Sequence, residues 1–259
     1  MLFDPLQVAS RDQWLTTGQG SYIFSRQEKL ILDLVSPVAG ESLLDVGCGT
    51  GTYLRLFQQK NCALTGIDSS AAALKLARNK LGQRCELIEG VGSDLPFSDN
   101  EFDVVTVINC QILDDLEKVI AEAIRVSRSR VFIGFFNKHS LVGTKQSVRK
   151  LFGFPLTSDM RFFTIHEMKS IINQAMANPS FIWGSVIFLP RPFYSFFSEF
   201  EELFPIKNNP LGAFVGMLFP VRYTYRTAEN PIINSFELKT KTRAAAPEAV
   251  RSMLHEGKQ

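Results

Sequence analysis

The sequence lacks an excess of charge of either sign, and its cysteines lack the spacing of a metal site. Its 28 lysines and arginines are nearly balanced by 26 aspartates and glutamates, which gives a net charge of +2. Nucleic-acid-binding domains usually carry a basic patch, so we expect no nucleic-acid partner. No C-x-x-C pair occurs among the four cysteines Cys48, Cys62, Cys85 and Cys110. We therefore predict neither a metal site nor a disulfide framework, and a reduced cytosolic protein.

Long apolar runs are also absent. No stretch reaches the roughly 18 uninterrupted apolar residues of a transmembrane helix. The first residues show no basic region followed by an apolar one, which is the pattern of a secretion signal. We therefore expect a cytoplasmic protein without a membrane span. A chain of 259 residues can bury one sizeable core, and we predict a single domain over residues 1–238 followed by a mobile tail at 239–259.

A glycine-rich loop is the most informative feature that is present. Residues 43–51 read LLDVGCGTG, an apolar strand with Asp45 near its end and then three alternating glycines. Because glycine has no Cβ, such a loop can adopt positive φ and let backbone N–H groups approach a ligand closely. A predicted helix over Thr52–Lys60 follows, and a second short strand, Ala63–Ile67, is followed by Asp68. Rossmann-type sheets bind ribose hydroxyls with a carboxylate at that point, so the pattern predicts a nucleoside site.

The spacing of the glycines distinguishes between nucleoside ligands. Dinucleotide enzymes typically carry G-x-G-x-x-G, whereas this loop is G-x-G-x-G and is preceded by Asp45. It resembles the cofactor loop of class I S-adenosylmethionine-dependent methyltransferases. The sequences TGID at 65–68 and LPFSDNEFDVV at 95–105 are similar to stretches of the ubiquinone and menaquinone methyltransferase-like subgroup. The resemblance implies methyl transfer as the activity and S-adenosyl-L-methionine as the cofactor.

Alternating strands and helices predict a parallel sheet with helices on both faces. Strands are expected at Ser42–Val46, Ala63–Ile67, Cys85–Glu89, Val104–Asn109, Arg130–Phe135, Phe181–Leu189 and Ala213–Arg226. Besides the helix after the glycine loop, helices are expected over Ala71–Leu81, from Asp114 onward, and from a capping box at Thr164 to about Ala177.

The resemblance implies a Rossmann-like, doubly wound α/β fold. Its seven-stranded sheet would be mostly parallel, with the last strand antiparallel. Residues 1–40 would form an N-terminal helical lid, and residues 41–137 the cofactor-binding core. Residues 138–238 would form the acceptor side, with a Phe-rich insertion before the last strand. Trp14, Thr17, Gly20 and Tyr22 match the W-x-x-T-x-x-G lead-in of the subgroup, which would lie over the cofactor.

Open α/β sheets bind ligands at the carboxyl ends of their strands. The resemblance implies that the first loop holds the methionine part of the cofactor, Asp68 the ribose, and the segment after the third strand the adenine. The expected cofactor-binding residues are Tyr22, Asp45, Gly47, Cys48, Gly49, Gly51, Asp68, Ser69, Val91, Gly92 and Asn109. The chain departs from the subgroup at Val91, where an acid often accepts the adenine amino group. We expect apolar contact with Val91 and Leu95 and backbone groups to hold the adenine instead, or Asp94 to substitute.

The acceptor side offers few candidate bases. His139 follows the fifth strand, and Gln111 follows the fourth. We take both as candidate catalytic residues, since they lie where the methyl group of the cofactor would point. The alternative for His139 is that it only caps a loop.

Phenylalanine is abundant, with 22 residues, and those from Phe193 to Phe204 follow helical spacing. This stripe either packs a helix onto the sheet or lines a hydrophobic substrate pocket or a face that rests on a membrane. The acceptor is therefore expected to be a small apolar or aromatic metabolite. A cofactor-binding relative without methyl transfer and a nicotinamide oxidoreductase are the alternatives. The sequence leaves open whether O, N, C or S is methylated, and the oligomeric state.

Overall fold

The computed structural model describes residues 12–108, 110, 113–140, 161–188 and 206–221. All of these residues belong to one compact unit. The predicted tail at 239–259, the phenylalanine stripe at 193–204, and the site candidates Asn109 and Gln111 lie outside the described residues. The predicted domain boundaries at 40, 137 and 238 remain predictions.

The core is a single seven-stranded sheet in the order β3-β2-β1-β4-β5-β7-β6. Its strands are β1 (Ser42–Val46), β2 (Ala63–Asp68), β3 (Cys85–Glu89), β4 (Phe102–Ile108), β5 (Ser127–Phe136), β6 (Ile182–Val186) and β7 (Phe214–Pro220). Strands β1 to β5 pair in parallel, and β7 runs antiparallel to both β5 and β6. The predicted mostly parallel sheet with an antiparallel last strand is therefore confirmed.

Strand ends differ from the prediction where the local backbone departs from a regular ladder. Strand β5 begins three residues early, at Ser127, because Ser127 pairs with Phe102 across a register shift in β4. Strand β6 is shorter than predicted and ends at Val186, since Ile187 takes a left-handed φ of 70° that a strand does not accommodate. Strand β7 ends at Pro220.

Helices cover both faces of the sheet. One face carries α1 (Gly18–Val35), α2 (Leu54–Gln58) and α3 (Ala71–Leu81), and the other carries α4 (Leu116–Val126) and α5 (Ile165–Ala175). Each set packs on its own hydrophobic cluster, so the sheet is buried between two helical layers. In the part of the chain that the structure describes, no helix combines the length and the apolar character needed to cross a membrane.

The predicted helices are present, with shifted ends in three cases. Helix α2 is shorter than predicted, and Asn61, just beyond it, has a φ of 59°. Helix α4 begins at Leu116 instead of Asp114, because Asp115 has a left-handed φ of 48° and makes no side-chain cap. Helix α5 begins with the predicted Thr164–Glu167 capping box and ends at Ala175. Helix α3 has the predicted bounds, and Ser70 is its N-cap.

Candidate functional site

The three glycines of the loop after β1 all have positive φ, with values of 73° at Gly47, 54° at Gly49 and 72° at Gly51. The loop is fixed to the end of β2, because the N–H groups of Gly47 and Cys48 both donate to the Ile67 carbonyl, at 2.8 and 3.1 Å. Left-handed backbone at three alternating positions is the reason for the glycine repeat.

The three glycines differ in how much space surrounds them. A Cβ on Gly51 would lie 2.7 Å from the Leu81 side chain, and one on Gly47 would lie 3.0 Å from Leu113. At Gly47 and Gly51, neighbouring side chains of the protein fill the space in which a ligand could approach. A Cβ on Gly49 would meet nothing within 4 Å. Gly49 is therefore the position where the loop leaves space for a ligand to approach its backbone.

Asp68 lies beside that space. Its Oδ2 accepts the N–H of Gly49 at 2.8 Å, and its Oδ1 accepts the N–H of Ser70 at 2.9 Å. Burial raises the pKa of Asp68, and the two backbone hydrogen bonds oppose that shift. Each carboxylate oxygen can accept a further bond, so the arrangement fits a pair of ribose hydroxyls. Ser69, also predicted at the site, lies between Asp68 and the N-cap Ser70.

Asp45 lies within the sheet. It is 1% exposed and accepts a hydrogen bond from the Thr106 hydroxyl at 2.7 Å, across the β1–β4 pair. Burial, together with the nearby charge of Asp68, raises the pKa of Asp45 to about 7, although the bond from Thr106 favours the ionised form. A cation that binds nearby would favour the ionised form of this carboxyl group and lower its pKa.

The predicted adenine side has one exposed apolar residue. Val91 is 51% exposed, whereas Leu95 is 4% exposed and belongs to the core beneath α4. Gly92 packs closely on the end of β1, since a Cβ there would lie 2.8 Å from the Val46 side chain. Of the two apolar residues expected to contact the adenine, Val91 is the one available at the surface.

The W-x-x-T-x-x-G sequence forms a helix junction. The Thr17 hydroxyl donates to the Trp14 carbonyl at 2.7 Å and accepts the N–H of Gly20 at 3.1 Å, which caps the start of α1. A Cβ on Gly20 would overlap the Trp14 carbonyl. Tyr22 is half-buried and packs against the core under α1. These residues have clear structural roles, and the predicted lid function remains a prediction.

The segment before α1 is joined to the glycine loop by a polar cluster that the sequence did not predict. Thr50 donates to Asp12 Oδ1 at 2.8 Å and accepts a hydrogen bond from Lys80 Nζ at 2.9 Å. Lys80 Nζ also lies 2.6 Å from Asp12 Oδ2. Beside this cluster is a cavity of about 440 Å³ that Phe24 and Leu56 line in part. The cluster places the N-terminal segment next to the glycine loop.

The acceptor side is described in part. Asn137 is buried, and its amide donates to the carbonyls of Pro210 and Gly212 at 2.6 and 3.0 Å. Its Oδ1 accepts the N–H of His139 at 3.1 Å, so Asn137 fixes the turn that carries His139. The His139 side chain is exposed at the carboxyl end of β5. Gln111 lies outside the described residues, although its neighbour Cys110 is buried at the end of β4.

The described residues contain no cluster of three or more His, Cys, Asp or Glu side chains that could hold a metal ion. All four cysteines are free thiols. Burial raises the pKa of Cys48 well above its usual value, which makes its thiolate a poor candidate nucleophile.

Residues 43–130 match a family model described as a methyltransferase domain. This match spans β1 to β4, the glycine loop and Asp68. Over this region the chain is similar to methyltransferase domains. The family and the fold imply S-adenosyl-L-methionine as the cofactor, in agreement with the prediction.

Relatives of known name include a member of the expected subgroup. The chain is 27% identical over 158 residues to a demethylmenaquinone methyltransferase of Renibacterium salmoninarum, which covers 60% of this chain and 61% of the relative. It is 32% identical over 100 residues to a malonyl-[acyl-carrier protein] O-methyltransferase of Hamiltonella defensa, which covers 38% of each chain. The chain thus spans less than two thirds of the length of these relatives.

A solved structure supports the fold beyond the matched domain. The structure of a methyltransferase from Thermotoga maritima, described as a possible histamine N-methyltransferase, aligns with a TM-score of 0.66 at 19% identity. The alignment covers 84% of this chain and 97% of that chain. The likeness of fold therefore extends beyond the residues that the family model matches.

Proposed function

We propose that the chain binds S-adenosyl-L-methionine and transfers its methyl group to a small apolar or aromatic metabolite. The observation that carries the proposal is the open space at Gly49, whose backbone N–H is held by the Asp68 carboxylate. A ligand that enters this space meets a ribose-binding acid and a backbone free of side chains. A dinucleotide is disfavoured, because the loop lacks the G-x-x-G spacing that places a helix N-terminus at a pyrophosphate.

The bound cofactor would supply an electrophilic methyl group, and the chain would align it with the acceptor. In-line transfer depends mainly on positioning of the reacting atoms. The carboxyl end of β4 lies next to that of β1 in the sheet, and the carboxyl end of β5 lies next to that of β4. Residues after β4 and β5 are therefore the proposed acceptor contacts. His139 and Gln111 are the proposed catalytic residues, and both act on the acceptor alone.

The acceptor is proposed to be quinone-like. Support comes from the named demethylmenaquinone methyltransferase relative. A malonyl thioester on a carrier protein, the substrate named for the second relative, is the competing acceptor.

Calorimetry with S-adenosylmethionine, S-adenosylhomocysteine and NAD tests the cofactor half of this proposal. We expect binding of the first two ligands and none of NAD, and the reverse result would indicate a nicotinamide enzyme. Radiolabelled methyl transfer to a reduced demethylquinone and to malonyl-carrier protein then tests the acceptor. Binding of the cofactor without transfer to any acceptor would favour a regulatory or partner-activated relative.

A further inference from the structure

The segment between β3 and β4 carries the predicted adenine contacts without any regular structure of its own. Val91 and Gly92 lie in this segment, residues 90–101, which contains no helix or strand. Turn hydrogen bonds within the segment and side chains from neighbouring elements together fix its backbone.

Two side chains of α4 fix it. Glu122 Oε2 accepts the N–H of Leu95 at 2.9 Å, and Arg125 Nη2 donates to the Leu95 carbonyl at 3.0 Å. Arg125 Nη1 donates to the Phe97 carbonyl at 2.8 Å and to Asp99 Oδ1 at 2.8 Å. Both backbone polar groups of Leu95 are thus bonded to one pair of side chains.

The pair is also bonded to itself. Arg125 Nε and Nη2 each lie 2.7 Å from an oxygen of Glu122, in a two-point contact. The Arg125 guanidinium lowers the pKa of Glu122, so the pair stays charged near neutral pH. Two-point Arg–carboxylate contacts are directional. The two side chains that make the four hydrogen bonds to Leu95, Phe97 and Asp99 are therefore held in one orientation on α4.

We propose that Glu122 and Arg125 are positioning residues for the adenine of the cofactor. They hold Leu95 and Phe97 so that the preceding residues, with Val91 exposed and Gly92 packed on Val46, present a formed surface to the base. The Val91 side chain cannot accept a hydrogen bond from the adenine amino group. Recognition then depends on where the backbone and the Val91 side chain lie, and preorganisation of that surface sets the affinity. This inference rests on the proposed function.

A purely stabilising role is the competing interpretation, and the chain offers a matched control for it. Arg128 Nε lies 2.6 Å from Asp103 Oδ1, in another partly exposed ion pair that also bonds to Ser42. This pair joins the starts of β1, β4 and β5, at the edge of the sheet opposite to the ligand side. Its loss should affect stability without moving the adenine surface.

The test measures S-adenosylhomocysteine affinity by calorimetry and the melting temperature of Arg125→Ala, Glu122→Ala, Glu122→Gln and Arg128→Ala. We expect the two alanine variants in α4 to bind roughly tenfold more weakly, which is the scale of one lost bond to a charged group. Glu122→Gln keeps an acceptor for the Leu95 N–H but turns an NH2 group toward Arg125 Nε, so its affinity should lie between those of Glu122→Ala and wild type. Arg128→Ala should bind as wild type does despite a lower melting temperature.

Equal affinity of Arg125→Ala and wild type would overturn the inference, as would an equal loss in Arg128→Ala. If Arg125→Ala does not fold, the comparison of Glu122→Ala with Glu122→Gln decides, because rescue by the glutamine requires the bond to Leu95. Failure of the wild type itself to bind S-adenosylhomocysteine would instead overturn the proposed function.

Discussion

The Asp68 carboxylate accepts the backbone N–H of Gly49 at 2.8 Å, across 19 residues of sequence. The bond joins the end of β2 to the one glycine of the loop that faces open space. The acid expected to bind the ribose therefore also shapes the loop expected to hold the methionine part of the cofactor. The two halves of the predicted nucleoside site form a single unit.

Asp68→Ala should weaken S-adenosylmethionine binding by one to two powers of ten, about 1.5–3 kcal/mol for the loss of charge-assisted bonds. The chain should remain folded, since the alanine removes no apolar packing. Asp68→Asn is the matched control, because its amide oxygen can still accept one backbone N–H. We expect an intermediate affinity for it by calorimetry. An unchanged affinity in the alanine variant would contradict the ribose assignment.

Gly49→Val should abolish cofactor binding more completely. The new side chain would occupy the space that is open to a ligand, and it would place a β-branched residue at positive φ. Gly82→Val is the control, since Gly82 also has positive φ, 64°, and open surroundings. Both variants should lose stability from backbone strain, on the order of 1–3 kcal/mol each. Only the first should lose binding, and a Gly49→Val protein that binds would show that the loop is not the site.

The parallel half of the fold follows directly from the sequence. Strands β1 and β3 and helix α3 have their predicted bounds because each is a short apolar or amphipathic run with clear stop signals, such as Ser70 before α3 and Gly82 after it. The glycine loop and Asp68 were found the same way, since each follows its strand immediately. Features local in sequence are the ones that local rules can predict.

Long-range polar contacts could not be predicted. Asp12 and Lys80 are separated by two helices and two strands, and nothing in either neighbourhood indicates that they meet at Thr50. The Glu122–Arg125 pair did leave a signal, an acid and a base three residues apart on one helix face. That spacing does not indicate which loop the pair would bind.

Asp45 should make folding stability depend on pH. The pKa of Asp45 is raised to about 7 in the folded protein, from an ordinary value of 3.8. The folded state therefore binds its proton more tightly than the unfolded chain does. The contribution of Asp45 to the free energy of unfolding is present at low pH. It is lost as the pH rises from 3.8 to about 7, by about 1.4 kcal/mol per pH unit.

Denaturant unfolding of wild type and Asp45→Asn from pH 4 to pH 8 checks this expectation. Asparagine can accept the Thr106 hydrogen bond without ionising, so the variant should lack the Asp45 contribution. The stability of the wild type relative to the variant should fall with pH and level off above about pH 7. A difference that is constant over the whole range would show that Asp45 is ionised at low pH in the folded protein.

Lys80→Ala should weaken the contact between the N-terminal segment and the glycine loop. Lys80 and Asp12 have side chains that are 28% and 22% exposed, and a pair of this kind contributes about 0.2–1 kcal/mol. We expect faster hydrogen exchange in residues 12–16 and a loss of cofactor affinity of a few fold, smaller at high salt. Lys75→Ala, on the same helix, should change neither quantity. The double exchange Asp12→Lys with Lys80→Asp should restore part of the affinity if the ion pair is the cause.

The acceptor side can be tested apart from the cofactor side. Gln111→Ala and His139→Ala should each lower kcat with the true acceptor while S-adenosylhomocysteine affinity stays near the wild-type value, because both side chains are expected to contact the acceptor alone. His139 is exposed after β5, in a turn fixed by Asn137, so its removal should not disturb the core. His166→Ala, also exposed and at the start of α5, is the control and should keep full activity. Full turnover in both test variants would show that the acceptor assignment is wrong, and it would leave the cofactor site unaffected.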